Sequence, residues 1–176
     1  LGKGIEKADS WSVDAHKWLN VPYDSGIAIV RNAEALRSAM SISTSYLKST
    51  PGKRQPNEFT PELSRRARGV EIWTAIASLG REGIAEIIER TCSHAQKAAR
   101  RLADAGYKVL NDVVINQVLV SFGSDEKTEK VIKAIQEDGT CWCGGTKWKG
   151  QTAMRISVCS WATTNEDMDK SLDAMI

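Results

Sequence analysis

The order of the elements predicted from the sequence indicates an α/β protein that continues into a small α+β domain. A β-branched run at residues 25–30 is bounded by polar residues, as expected for a buried strand, and predicted helices follow it. After about residue 93 the predicted order becomes β-α-β, which is typical of a small α+β domain. The 176 residues, 41% of them hydrophobic, are enough to bury a core.

The first part of the chain contains strand and cap signals followed by a long polar stretch. Residues 8–13 alternate weakly between polar and apolar types, which predicts a short strand before the run at 25–30. Asn32 is a suitable N-cap for a short helix. Residues 41–60 are polar, include two prolines and have no helical period. They predict a loop, and a loop of that length is usually functional or mobile.

Two consecutive helices are predicted in the middle of the chain. Thr60-Pro61-Glu62 combines a cap residue, a proline at the first helical position and an acidic residue near the positive end of the helix dipole. This helix is predicted to reach Leu79 and to end at Gly80. The second is predicted over residues 84–105 and ends at Gly106.

The last third alternates between strands and helices. Asn165 is predicted to cap the final helix, and Gly144-Gly145 is interpreted as a turn between strands. The remaining predicted elements are strands at 107–110, 117–122 and 152–160 and an amphipathic helix at 126–137.

Composition excludes several classes of protein. The 24 basic and 22 acidic residues are interspersed and leave a formal charge of +2, which does not predict nucleic-acid binding. No apolar run approaches the roughly 20 residues that cross a bilayer. The four cysteines have irregular spacing, so we expect no disulfide framework, no metal site and a cytoplasmic location.

The segment around Lys17 contains the residues most suggestive of chemistry. Lys17 follows the predicted strand at 8–13 and precedes the one at 25–30, and ligands of α/β folds bind at strand ends. A lysine that forms a Schiff base must be partly neutral, and aromatic neighbours such as Trp11 and Trp18 favour this by desolvation. The alternative is a surface lysine beside a core tryptophan.

Five short strings in the sequence form a recognisable set. Asp9-Ser10-Trp11 is followed by His16-Lys17-Trp18-Leu19. Downstream lie Ser45-Tyr46-Leu47-Lys48 and Ser64-Arg65-Arg66-Ala67-Arg68, and Met154-Arg155-Ile156-Ser157-Val158 is close to the end. Together they resemble the group II pyridoxal-phosphate-dependent amino acid decarboxylases, and the resemblance spans essentially the whole chain.

The resemblance implies a fold and a biochemical setting. Residues 1–92 would be the end of the large domain of a fold-type I enzyme, with the cofactor lysine, catalytic loop and interdomain helix. Residues 93–176 would be its small α+β C-terminal domain. The implied protein is a cytoplasmic homodimer whose site lies at the subunit interface. It would act on a small-molecule amino acid with pyridoxal phosphate as cofactor, without metal, membrane or nucleic acid.

The same resemblance implies roles for five residues. Lys17 would bind the cofactor as a Schiff base, while His16 and Asp14 would line its phosphate end. Tyr46 would protonate the Cα carbanion left by decarboxylation, and Arg155 would meet the substrate carboxylate or support the site. Structural alternatives stay open for four of them: a packed histidine, a carboxylate that a phosphate would repel, a tyrosine that anchors its loop and an arginine that pairs structurally.

The resemblance also indicates what to expect of the chain by itself. In the family, the aspartate that pairs with the pyridine nitrogen, a stacking histidine and the main phosphate-binding turn lie upstream of the lysine. Only sixteen residues precede Lys17 here, so we expect a fragment of a longer enzyme. Alternative functions are another fold-type I chemistry, such as sphingosine-phosphate cleavage, cysteine-sulfinate decarboxylation or transamination, or a non-catalytic dimerisation domain.

Overall fold

The computed structural model describes residues 2–42 and 52–176 of the chain. It consists of two compact units. The first comprises Leu1–His16 and Val21–Thr74, and the second comprises Lys17–Asn20 and Ala75–Ile176. The division at residues 92 and 93, which concerns the domains of the parent enzyme, stays a prediction.

The first unit contains a two-stranded antiparallel sheet and one short helix. The strands pair along their whole length, from Ser10 opposite Val30 to Asp14 opposite Gly26. The predicted cap at Asn32 is confirmed, since its Oδ1 accepts a hydrogen bond from the backbone N–H of Ala35 at 3.0 Å. The elements are β1 (Ser10–Asp14), β2 (Gly26–Val30) and α1 (Ala33–Met40), with 3₁₀ turns at Ile5–Lys7 and Pro56–Glu58.

The first unit buries very little of its own surface. Among its described residues only Ala15 and Ser25 are buried, and Ile29 on β2 is 54% exposed. The expectation of a buried strand at residues 25–30 is therefore wrong for the described chain, although the strand itself is present. Two strands have too few facing side chains to exclude water from each other.

A long helix, α2 (Gly69–Asp104), is interrupted where the sequence predicted a break. Gly80 has φ 62° and ψ −173°, which ends one helical segment and begins the next. The predicted start at Thr60 is wrong, because α2 begins at Gly69. The Thr60 hydroxyl donates to the carbonyl of Glu62 at 3.2 Å and does not cap the backbone.

The second unit contains a four-stranded antiparallel sheet in the order β3-β4-β6-β5. The interpretation of Gly144-Gly145 as a turn is wrong, because both residues lie in β5 and pair with β6. The hairpin turn is at Lys149-Gly150, where both residues have positive φ, as two-residue hairpin loops require. The elements are β3 (Lys108–Val109), β4 (Gln117–Ser121), α3 (Asp125–Asp138), β5 (Gly144–Trp148), β6 (Gln151–Ser157) and α4 (Asn165–Met175).

The helices of the second unit begin at well-formed caps and enclose its core. Ser124 caps α3, and Thr164, not the predicted Asn165, caps α4 through a reciprocal pair of bonds with Asp167. Fifteen buried residues from the sheet and its helices form one apolar cluster, among them Leu102, Val118, Met154 and Leu172. In the part of the chain that the structure describes, none of the helices combines the length and apolarity that crossing a bilayer requires.

Candidate functional site

Lys17 lies in the turn that follows β1, as its position between two predicted strands indicated. Residues 15–19 form this turn, and Lys17 is exposed within it. Lys17 and Arg155 belong to the second unit, whereas Asp14 and His16 belong to the first. The predicted site residues are therefore described in two groups.

Trp18 anchors the turn of Lys17 to α2. Its indole Nε1 donates to Thr91 Oγ1 at 2.9 Å, and Thr91 is fully buried on the helix. The Thr91 hydroxyl in turn donates to the carbonyl of Ile87 at 2.8 Å. A half-buried indole with a satisfied N–H fixes the backbone beside the lysine, because neither partner can move without losing a bond.

Asn20 closes the same turn with its side chain. Its Nδ2 lies 3.0 Å from the carbonyl of Lys17 and 2.9 Å from that of Trp18. It also lies 3.0 Å from the carbonyl of Cys159, beyond the end of β6. Sequence reasoning did not select Asn20, although an asparagine shortly after the candidate lysine is a turn signal.

The second group of candidate residues, which belongs to the first unit, consists of His16 and Asp14. The His16 ring stacks on Tyr23 with centroids 4.3 Å apart and an interplanar angle of 30°. Its Nδ1 is buried and makes no hydrogen bond to any described residue. A buried ring nitrogen without a partner is uncommon, and it is suited to a polar group of a ligand. Asp14 is the last residue of β1, opposite Gly26, and is exposed.

A carboxylate with two arginine partners holds the chain just before β2. Asp24 accepts from Arg66 Nη2 at 2.6 Å and from Arg68 Nε at 2.9 Å. Hydrogen bonds from Arg66 and then Arg68 lower the pKa of Asp24 to about 2. The adjacent carbonyl of Ser25 accepts from the N–H of Ala15 at 3.2 Å, so the contact supports the backbone that leads into His16.

The same arginines line a cavity in the first unit. Its volume is about 1000 Å³, and it is lined by Asp24 and Arg66 but by neither Asp14 nor His16. Arg66 and Arg68 are neutralised further by Glu71 and Glu62. Because these guanidinium groups already have carboxylate partners, the cavity is a poorer candidate for binding an anion than its arginine content suggests.

Arg155 is exposed on β6, and the residues opposite it on the two neighbouring strands differ in size. It pairs with Leu119 on β4 and with Gly144 on β5, while its sequence neighbours Met154 and Ile156 point into the core. The side chain of Arg155 makes no ion pair or hydrogen bond with another described residue. Its neighbour on β5 is Gly144, and a Cβ at that position would meet no atom within 4 Å, so the space on the β5 side of Arg155 is open.

Tyr46 lies outside the described residues, so its role stays a prediction. Among residues 2–42 and 52–176, no group of three acidic, cysteine or histidine side chains could coordinate a metal ion. Burial raises the pKa of Cys143 to about 12 and also raises that of Cys141. Both thiols therefore stay protonated at neutral pH, and neither is an activated nucleophile.

Comparisons with known proteins agree with the resemblance inferred from the motifs. The chain is 30% identical over 177 aligned residues to an aromatic-L-amino-acid decarboxylase of Drosophila lebanonensis, covering 97% of this chain and 43% of that protein. It is 30% identical over 172 residues to a histidine decarboxylase of Drosophila melanogaster, covering 96% of this chain and 20% of the relative. The chain thus spans less than half the length of these relatives.

A solved structure shows the same fold. Oryza sativa TDC, crystallised with PLP and tryptamine, superposes with a TM-score of 0.91 at 19% identity, over 99% of this chain and 39% of that one. The predicted fold class is thereby confirmed. The family model described as the pyridoxal-dependent decarboxylase conserved domain matches residues 1–124. This match covers most of the sequence and includes the whole segment around Lys17, and it shows that the chain belongs to the pyridoxal-dependent decarboxylase family.

Proposed function

We propose that the parent protein decarboxylates an L-amino acid to an amine, with pyridoxal phosphate bound covalently to Lys17. The observation that supports this most directly is the placement of Lys17. It lies in the turn after β1, in a chain of the pyridoxal-dependent decarboxylase family, and its neighbours Trp18 and Asn20 are anchored by hydrogen bonds. A nucleophilic lysine needs such a fixed backbone because only its side chain then has to be oriented.

The residues of this chain fit part of a pyridoxal-phosphate site. When bound, the cofactor supplies an electron sink for the charge left at Cα after carboxylate loss. The lysine amine would bind its aldehyde, and the unpartnered Nδ1 of His16 offers a hydrogen bond to a polar group such as its phosphate. Asp14, at the end of β1, would act at the same end of the site. Because a carboxylate repels a phosphate, a neutral hydrogen-bonding group would have to lie between the two.

Arg155 is proposed to bind the substrate carboxylate. Its guanidinium makes no ion pair with a described residue, and the glycine beside it leaves room for a ligand. A guanidinium holds a carboxylate through two parallel hydrogen bonds, which orients the group as well as attracting it. The alternative, a structural ion pair, has no partner among the described residues.

The finer features of the proposal follow from the family. We propose Tyr46 as the acid that protonates Cα, since a phenol is neutral at working pH and can deliver a proton. A homodimer with the site at the subunit interface, a cytoplasmic location and a domain boundary between residues 92 and 93 complete the proposal. The names of the two Drosophila relatives favour aromatic and imidazole amino acids as the first substrates to assay.

The decisive experiment is borohydride trapping in the full-length parent protein. Reduction should attach the cofactor to the peptide that contains Lys17, and Lys17→Ala should abolish both this adduct and the release of carbon dioxide. Lys130→Ala, which removes an exposed lysine on α3, is the matched control and should retain both. A normal adduct in Lys17→Ala would refute the assignment of the lysine. Amine-free products from the parent protein would favour another fold-type I reaction.

A further inference from the structure

Asn20 connects two segments of the second unit that are far apart in sequence. Its Nδ2 donates toward the carbonyls of Lys17, Trp18 and Cys159 at 3.0, 2.9 and 3.0 Å. Its Oδ1 accepts from the backbone N–H of Trp161 at 3.4 Å. An amide nitrogen has two hydrogens, so the three carbonyls share them. One side chain therefore joins the carbonyl of the lysine itself to the chain that follows β6.

Residue type and backbone conformation at this position agree. Asn20 has φ 51°, in the left-handed region that asparagine adopts more readily than most residues with a side chain. The contact also needs a side chain that both donates and accepts. Asparagine satisfies both requirements, whereas glycine supplies only the conformation and aspartate supplies no donor.

The segment that receives these bonds is itself fixed. Val158, just before Cys159, exchanges two hydrogen bonds with Asn116: its N–H donates to the Asn116 carbonyl at 3.0 Å, and its carbonyl accepts from Asn116 Nδ2 at 2.8 Å. On the other side, Arg90 donates to the carbonyl of Trp161 at 3.0 Å. The segment begins directly after β6, the strand that contains Arg155.

We propose that Asn20 is a positioning residue that holds the backbone of Lys17 in register with the strand that contains Arg155. On the proposed function, on which this inference rests, these two side chains bind the cofactor and the substrate carboxylate. Asn20 then determines how far apart the two attachment points lie. A displacement of one by about 1 Å can lower a rate on the order of 100-fold, even when no catalytic group is altered.

The test uses two variants of the full-length enzyme. Asn20→Asp preserves size and tolerance for positive φ but places oxygens against three carbonyls. Asn20→Gly preserves the backbone conformation and removes every side-chain bond, and it serves if the aspartate variant does not fold. For each we expect a higher KM for the amino acid, a fall of about 10–100-fold in kcat/KM, and a shifted pH midpoint for the visible absorbance of the bound cofactor. Borohydride should still label Lys17.

Asn111→Asp is the matched control. Asn111 makes a similar set of bonds in the same unit: its Nδ2 donates to two carbonyls, those of Asp112 and Gln117, and its Oδ1 accepts from the N–H of Leu119. This variant should lower the thermal midpoint and leave KM and the cofactor titration unchanged. If both Asn20 variants behave like Asn111→Asp, Asn20 is only structural and the inference is overturned while the Lys17 adduct stands. If the parent enzyme forms no adduct at Lys17, both the proposed function and this role are overturned.

Discussion

The two units of this chain are stabilised in different ways. In the first unit, Ala15 and Ser25 are the only buried described residues, and its segments are joined by the pairing of β1 with β2 and by exposed ion pairs such as those of Asp24 with Arg66 and Arg68. In the second, fifteen buried residues form a single apolar cluster. Apolar burial is worth more per residue than exposed ion pairs, so most of the stability of the chain should come from the second unit.

The difference in packing between the units bears on the candidate site, because the residues around Lys17 divide between the two units. Asp14 and His16 lie in the unit with little core, whereas Lys17–Asn20 group with the well-packed one. Two residues beside the lysine, Trp18 and Asn20, are thus hydrogen-bonded to Thr91 and Cys159 in the unit that contains the apolar cluster. Under the proposed role of Lys17 as the residue that binds the cofactor, such a rigid support would hold the lysine backbone in place.

The largest effect is expected from removing a single reactive hydroxyl group, that of Tyr46. Tyr46→Phe in the full-length enzyme removes the acidic proton and keeps the ring, so amine formation should fall by about 10²–10⁴-fold. The carbanion left after decarboxylation should instead be diverted to oxidative deamination or transamination. The measurement is the ratio of amine to these side products. Tyr107→Phe makes the same change in the second unit and should leave the product unaltered. Amine production at the parent rate by Tyr46→Phe would mean that another acid delivers the proton.

The next effect tests the difference in packing directly. Leu102→Ala, at a fully buried position of the second unit, should lower the free energy of unfolding by about 2–5 kcal/mol. Ile29→Ala, at a strand position that is 54% exposed in the first unit, should change it by roughly 0.5 kcal/mol. Urea denaturation of the 176-residue chain measures both. Equal losses would show that the first unit has an apolar core of its own.

The smallest effect concerns acid stability. The pKa of Asp24 is lowered from 3.8 to about 2, first by its bonds to Arg66, and that of Asp125 is lowered to about 2, first by Lys147. A carboxyl with a lowered pKa stabilises the fold fully above its unfolded value of 3.8, and the contribution is lost as the pH falls through about 2. In Asp24→Asn and in Asp125→Asn, the thermal midpoint should fall less steeply than in the parent chain as the pH is lowered from 3.8 to about 2.

A comparison of the two aspartate variants sharpens the contrast between the units. Because the first unit has so few buried residues, Asp24→Asn should lower the thermal midpoint of the first unit at pH 7 more than Asp125→Asn lowers that of the second unit. Asp9→Asn is the control, since Asp9 is paired with Arg31 at 3.3 Å and is almost fully exposed. An undiminished decline in acid for Asp24→Asn would mean that the arginine contacts contribute nothing to stability.

Short-range signals in the sequence determined several features of this protein. The strand before and after Lys17, the N-cap at Asn32 and the helix break at Gly80 all follow from residues within one or two turns of each other. The motif around Lys17 was enough to identify the family, which the comparisons confirm. Local steric and hydrogen-bonding preferences act over a few residues, so they can be inferred without knowing the fold.

Only the tertiary structure decided the rest. The helix predicted from Thr60 begins at Gly69, since the arginines in between pair with Asp24, which is more than forty residues earlier. Gly144 is in a strand because it pairs with β6. The contact that joins Asn20 to Cys159 spans 139 residues. In each case the contacts with a partner distant in sequence outweighed the local preference. They can do so because a local turn or cap contributes only about as much free energy as one or two hydrogen bonds.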